Sequence, residues 1–228
     1  MFVVLAIVAY LIGSIPLAYI IARWTRGVDL RKFGSGNVGS SNVIQATSKR
    51  WAVPVIIFDL GKGLLAVWLA RWAGLEMAQQ LIVGLAAIIG QIWPVFLSFR
   101  GGRGNLTSLG MILGVSPLLG LVVMSVALSG MPFKKLSLTV FIALLSLPLL
   151  AYYLADFFNI AEPGLVSAGM AAITLITLGR RLIGRRSELA AGLSSVELLT
   201  NRLLFDRDIR DRKTWITRPE NNGAKALS

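Results

Sequence analysis

Six apolar runs, each near or above the about 20 residues that a helix needs to cross a hydrocarbon core, constrain this chain more than any other feature. They cover residues 2–24, 51–72, 77–99, 105–131, 136–158 and 163–183. A backbone inside the hydrocarbon must satisfy its own N–H and C=O groups, so runs of this length imply membrane-spanning α-helices. At 228 residues and 55% hydrophobic side chains, with a mean hydropathy of +0.72, the chain carries far more apolar surface than one soluble core requires. The first run has neither a basic leader nor an A-x-A-like cleavage site, and we expect it to be retained as a helix.

Charge sets the topology. Lys and Arg number 23 against 11 Asp and Glu, a net charge of +12, and short cytoplasmic loops collect such an excess. Residues 24–50 hold Arg26, Arg31, Lys32, Lys49 and Arg50 against Asp29 alone. Arg100 and Arg103, Lys134 and Lys135, and Arg180, Arg181, Arg185 and Arg186 mark three further inside loops. Arg71 with Glu76, and Asp156 with Glu162, mark the outside. Six straight spans leave one basic loop on the wrong side, because Arg103 and Lys134 flank the same run. Ser116-Pro117 interrupts that run near its middle, with Gly110, Gly114 and Gly120 around it, which suits a helical hairpin that enters and returns. We therefore expect an all-α integral membrane protein of about seven helices, five full spans plus a re-entrant pair, with the N-terminus outside and the C-terminus cytoplasmic. Six straight spans are the alternative. The cations fall between apolar segments rather than on one soluble face, so nucleic acid is not an expected partner.

The chain divides into a membrane unit, 1–186, and a cytoplasmic tail, 187–228. In the tail Ser194-x-x-Glu197 resembles a capping box that opens an amphipathic helix with Val196, Leu199, Leu203 and Leu204. Two readings of it stand: a helix on the anionic inner leaflet, or a solvated, partly disordered tail.

Two glycine clusters, FGSGNVGSSNVIQ at 33–45 and FRGGRGNLTSLG at 99–110, fall on the cytoplasmic side, each at the mouth of a helix. Glycine lets backbone N–H groups converge, so such a loop at a helix N-terminus can form an anion nest, above all for phosphate. Arg103 adds a charged fork, and Ser35, Asn37, Ser40, Ser41 and Asn42 add hydrogen bonds. The competing explanation is that these glycines serve tight turns and close helix packing. Asp59 and Lys62 lie three residues apart inside the second run, on one helical face, and mark either a polar cavity or a structural ion pair. Gly13-Ser14-Ile15-Pro16 breaks the first run, so its polar backbone is expected to face inward. The chain has no Cys and no His, which excludes disulfides, cysteine-ligated metals and any imidazole base; no metal and no cofactor is expected.

Together these residues resemble the bacterial acyl-phosphate:glycerol-3-phosphate acyltransferases, the PlsY-type enzymes. The likeness runs from Gly13-Ser14-Ile15-Pro16 through Ser35-Gly36-Asn37-x-Gly39-x-Ser41-Asn42 and Asp59-x-x-Lys62-Gly63. It continues over Trp93-Pro94-Val95-Phe96, Phe99-Arg100-Gly101-Gly102-Arg103-Gly104 and Thr107, in the family's order and spacing. What the resemblance implies is a multi-pass protein of the bacterial inner membrane with a cytoplasmic site. Its reaction would be fatty acyl transfer from acyl phosphate to glycerol 3-phosphate, giving lysophosphatidic acid in phospholipid synthesis, with anionic membrane lipids around it. The expected catalytic residues are then Ser35 and Arg103. The expected substrate-binding residues are Gly36, Asn37, Gly39, Asn42, Lys62, Gly101, Gly102, Gly104 and Thr107. Ser35 as an acyl-accepting nucleophile would lack its usual base. Acyl phosphate is already activated, so the site has chiefly to hold two anions and stabilise developing charge, and a substrate phosphate can take the proton.

The chain departs from the family at several of these places. Gln45 stands for an arginine, Gln91 for a histidine ahead of the Trp-Pro pair, and Arg103 for a lysine. Arg180 and Ile183 stand for a histidine and an asparagine near the end of the last span. A catalytically silent relative that binds phosphate-bearing lipid precursors or regulates a paralogue is therefore the second reading, and a phosphate-compound transporter the third, although no inverted repeats are visible.

Overall fold

The computed structural model describes residues 1–184 and 186–216, which are helical with no strand among them. The first apolar run forms α1 (Phe2–Ser14) and α2 (Leu17–Arg26), separated at Ile15-Pro16. Proline has no N–H and drives the residue before it out of the helical region, and Ile15 is accordingly extended at φ −65, ψ 113. Gly27, left-handed at φ 67, ends α2. Short α3 (Ser40–Ala46) precedes the long α4 (Lys49–Trp72) and α5 (Met77–Ile92), which Glu76 and Gln79 open with a capping box. The third run breaks at Trp93-Pro94 and continues as a 3-10 turn, Val95–Leu97. Then follow α6 (Asn105–Val115), α7 (Pro117–Leu128), α8 (Leu136–Tyr153), α9 (Pro163–Leu182), α10 (Ser195–Phe205) and α11 (Arg212–Ile216).

Five segments are long and apolar enough to cross a membrane: 2–26, 49–72, 77–97, 136–153 and 163–182. The fourth run splits, as expected, into the short pair α6 and α7, so five spans plus a helical hairpin replace six straight spans. Ser116 makes the turn. Its hydroxyl accepts the Leu119 N–H, capping α7, and donates to the Phe158 carbonyl at 2.9 Å. Arg71 reaches the Val115 carbonyl at 3.4 Å, so the hairpin tip lies beside the two cation-poor loops. The glycine clusters and the foot of the hairpin meet at the opposite, basic end, around one cavity.

Glycine pairs set the helix contacts that matter for the site. A Cβ on Gly63 would lie 1.9 Å from the Thr107 carbonyl oxygen, and one on Gly110 would lie 1.9 Å from that of Leu60. The backbones of α4 and α6 therefore touch, which small residues alone permit. Gly13 and Gly90 do the same for α1 and α5, at 2.3 Å from the Ala87 oxygen and 2.2 Å from the Tyr10 oxygen. Gly110→Leu is expected to cost about 1–3 kcal/mol or more by forcing these backbones apart. In detergent it should lower the unfolding temperature and the monodisperse yield, whereas Gly61→Leu, at a position with nothing within 4 Å, should leave both unchanged.

Residues 187–211 of the tail are held against the membrane unit. Helix α10, capped by Ser194 on the Glu197 N–H, packs against the ends of α8 and α9. Arg202 pairs with Asp208 at 2.7 Å and donates to the Leu182 carbonyl at 2.8 Å, while the Ser187 N–H donates to Asp208 at 2.8 Å. Burial pushes the Asp208 carboxyl up, but the hydrogen bonds from Arg202 and Ser187 outweigh it and hold the group below the usual carboxylate range. The end of the tail reading, 217–228, lies outside the described residues.

Candidate functional site

The first glycine loop is a folded structure organised by Asn42. This buried side chain donates to the carbonyls of Leu30 (3.2 Å), Phe33 (2.9 Å) and Asn37 (3.0 Å), which pulls the loop into a closed curl ahead of α3. Gly36, left-handed at φ 69, donates its N–H to Phe33, and Gly39 donates to Asn37. The Ser35 hydroxyl accepts the Asn37 N–H at 3.4 Å. Asn37, Gly39, Ser40 and Ser41 line the cavity, whereas Ser35, Gly36 and Asn42 stand behind it as scaffold.

The second cluster departs from the expected nest. The N–H groups of Gly101 and Gly102 donate to the carbonyls of Ile92 and Gln91, at 3.2 and 3.0 Å, so they are not available to an anion. A Cβ on Gly101 would lie 2.4 Å from the Gln91 oxygen, and one on Gly102 2.8 Å from the Val38 oxygen. Close packing explains these two glycines, which bring the second loop against the first. Gly104, left-handed at φ 74, does line the cavity and opens α6 without a side-chain cap. The first intrahelical bond is Ser108 N–H to Gly104 O, which leaves the amides of Asn105, Leu106 and Thr107 outside the helical ladder. The donors left open here belong to a helix N-terminus rather than to Gly101 and Gly102.

Lys62 is likewise turned to structure. Its ammonium donates to the Ile15 carbonyl at 2.7 Å, to Asp59 at 3.0 Å and to Gln91 Oε1. All three of its donors are thus engaged, and its side chain is 1% exposed. Lys62 thereby joins the Leu17 N–H, at 3.1 Å, as a second donor to the Ile15 carbonyl at the Pro16 break. Gln91 closes the ring by donating to Asp59 Oδ2 at 3.1 Å, and Thr107 donates to the Asp59 carbonyl at 2.9 Å. A neutral imidazole accepts on one nitrogen and donates on the other, and the Gln91 carboxamide supplies the same pair of functions. Gln45 is exposed and bonds its own helix at Ser41, away from the cavity.

The cavity itself, about 230 Å³, has two chemistries. Its mouth carries Arg103, Asn37, Ser40, Ser41 and the start of α6. Its shaft runs between α6, α7 and α8 along Ile112, Val123, Leu128, Val140 and Leu144. Asn105, Ser108, Leu109 and Ile112 share one face of α6, so Ser108 stands where polar lining gives way to apolar. Ser108 is 1% exposed and its hydroxyl makes no hydrogen bond, nor does the buried side-chain oxygen of Asn105. By contrast, the hydroxyls of the buried residues Ser14, Thr107, Ser116, Thr174 and Thr177 all donate to carbonyls. Sequence reasoning passed over Asn105 and Ser108; their spacing on the helix that follows Gly104 is the signal that could have found them. It also missed Asp206, which comes back from the tail to accept from both terminal nitrogens of Arg103.

A basic mouth, unsatisfied polar groups and an apolar shaft thus meet at one end of a polytopic helical membrane protein. The family model described as glycerol-3-phosphate acyltransferase matches residues 3–186. Glycerol-3-phosphate acyltransferase 4 of Dehalococcoides mccartyi strain CBDB1 is 45% identical over 217 residues, 95% of this chain and 94% of that protein. Glycerol-3-phosphate acyltransferase 5 of a second strain of Dehalococcoides mccartyi is also 45% identical over 217 residues. A crystal structure of PlsY, an integral membrane glycerol 3-phosphate acyltransferase, in its glycerol 3-phosphate form superposes with a TM-score of 0.73 at 32% identity, over 92% of this chain and 95% of that one. Its lysophosphatidic acid form gives 0.69 at 31%. This chain belongs to the glycerol-3-phosphate acyltransferase family.

Proposed function

We propose that this protein transfers a fatty acyl group from acyl phosphate to glycerol 3-phosphate, forming lysophosphatidic acid and inorganic phosphate. Acyltransfer to glycerol 3-phosphate is the activity its family is named for. The observation that carries the donor assignment is the single cavity whose basic mouth continues into an apolar shaft, since an acyl phosphate has those two halves in that order. The basic end of the bundle faces the cytoplasm of a bacterial inner membrane, by the charge of its loops, so the N-terminus lies outside and the C-terminus inside.

On this reading Arg103, the first amides of α6 and the hydroxyls of Ser40 and Ser41 hold phosphate, with Asn37, Gly39 and Gly104 shaping the mouth. Asn42, Gly36, Gly101, Gly102, Thr107 and Lys62 act from behind by fixing the loops. The glycerol hydroxyl attacks the acyl carbonyl carbon, the carbon–oxygen bond to phosphate breaks, and the proton passes to a phosphate oxygen. Direct attack fits better than an acyl-serine, because Ser35 stands outside the cavity and the chain has no histidine to activate it. Ser108 sits at the junction of mouth and shaft, where the acyl carbonyl lies, and its free O–H is positioned to donate to the oxygen as charge builds there. Ser108→Ala is expected to lower turnover by about tenfold, within the range set by loss of one neutral hydrogen bond, with little effect on the unfolding temperature.

The deciding experiment is phosphate release from palmitoyl phosphate by the purified protein in lipid, with and without glycerol 3-phosphate. Release that depends on glycerol 3-phosphate supports acyltransfer. Binding of glycerol 3-phosphate without release sinks it in favour of a silent, precursor-binding relative.

A further inference from the structure

The family match ends at residue 186, yet a residue of the tail enters the site. Asp206 accepts from Arg103 twice, its Oδ2 from one terminal nitrogen and its carbonyl from the other at 3.2 Å, and its Oδ1 lies 3.8 Å from Arg181 Nε. A guanidinium has five N–H donors. Asp206 takes one on each terminal nitrogen, so three remain for a ligand. Arg103 lines the cavity mouth with its side chain 21% exposed, held along one edge and open along the rest.

Asp206 does not owe its place to Arg103. It closes α10 in the left-handed conformation, at φ 60, with its N–H on the Arg202 carbonyl at 3.1 Å. Two residues on, Asp208 is anchored by Arg202, by the Ser187 N–H and by Asn201, which donates to its carbonyl at 3.1 Å. Arg181 donates to the Leu203 carbonyl at 2.7 Å, which fastens the last turn of α10 to α9. A backbone pinned from so many sides holds the Asp206 carboxylate in place. Around it stand Arg103, Arg180 and Arg181, with buried Nε groups on the latter two that make no hydrogen bond. Without a carboxylate between them these cations repel, and the long Arg103 side chain regains its rotamer freedom. Arg207 adds a fourth cation, so with its one carboxylate the cluster stays net positive, room for an incoming phosphate.

We propose that Asp206 is a positioning residue for the reaction, supplied by the tail, that fixes Arg103 at the cavity mouth with its open edge toward the substrate phosphate. The proposal rests on Arg103 being a phosphate ligand, as argued above. It differs from a tethered competitor, in which Asp206 would occupy the phosphate's place and leave on binding; the rigid anchoring of residues 202–208 is the opposite of what release needs.

The test uses full-length protein in lipid as wild type, Asp206→Asn, Asp206→Glu, Arg103→Ala and the Asp206→Asn/Arg103→Ala double variant. Measured are KM and kcat for phosphate release, the Kd of glycerol 3-phosphate by calorimetry, and the unfolding temperature. Asp206→Asn is expected to raise KM or Kd about tenfold with a smaller change in kcat, and to have no further effect once Arg103 is alanine; such non-additivity marks a shared interaction. Asp206→Glu, which keeps the charge, should fall between wild type and Asp206→Asn, and carries the test if the asparagine variant does not fold. Equal losses in both backgrounds would reduce Asp206 to a tail anchor and overturn the proposal. Faster turnover with lower KM in Asp206→Asn would overturn it in favour of a competitor. Wild type that binds glycerol 3-phosphate without release sinks acyltransfer alone, and the cycle is then read on Kd. Wild type that neither binds nor turns over overturns both.

Discussion

Arg103→Ala is expected to lower glycerol-3-phosphate-dependent phosphate release by about 10²–10³, the loss that follows removal of a preorganised donor to developing charge. The fold should survive. Asp206 keeps Arg181 within 3.8 Å when Arg103 is removed, and the Arg103 side chain sits at the mouth rather than in the core. Arg103→Lys restores the charge but not the planar fork, so it should recover part of the rate, most visibly as a raised KM. Initial rates with palmitoyl phosphate, paired with unfolding temperatures in detergent, separate chemistry from folding. A rate for Arg103→Ala within threefold of wild type would remove the guanidinium from the chemistry and shift phosphate binding to the helix N-terminus alone.

Lys62→Ala carries the largest expected effect on stability. The ammonium is the only cation bonded to the Asp59 carboxylate among the described residues, and Asp59 and Lys62 are 5% and 1% exposed. Breaking a buried ion pair from one side costs about 3–5 kcal/mol, because the surviving charge is left without compensation. The same substitution removes one of the two donors to the Ile15 carbonyl at the break in the first span, leaving the Leu17 N–H, and empties one lone pair of Gln91. Lys62→Met joined to Asp59→Asn removes both charges and should recover much of that loss. Unfolding temperatures of the two single variants and the double variant in one detergent make the comparison. If Lys62→Ala lost catalytic rate at unchanged stability, the lysine would belong to the chemistry after all.

Lys62 also shows where reading the sequence stops. Three-residue spacing put it on one face with Asp59 and allowed two meanings, a phosphate ligand or a structural pair. The choice depended on Ile15 and Gln91, 47 residues before it and 29 after it. Gln91, which looks like a loss beside the family's histidine, turns out to bridge Lys62 and Asp59 as acceptor and donor. Gly101 and Gly102 were legible as glycines that something required. Whether ligand or neighbouring backbone required them was decided by the carbonyls of Gln91, Ile92 and Val38.

What the sequence by itself determined is the helical membrane architecture. Run length, the Pro16 and Pro117 breaks and the sign of the loop charges act locally, through each segment's own transfer energy and backbone geometry, so no partner is needed to read them. The family, too, was legible, in motifs whose order and spacing survive along the chain. Only the tertiary structure decided which polar groups are free to meet a substrate. A donor that bonds within the protein is lost to the site, and its partner can lie anywhere. Ser108 is available because no carbonyl takes its proton, and Arg103 is held by a carboxylate 103 residues away.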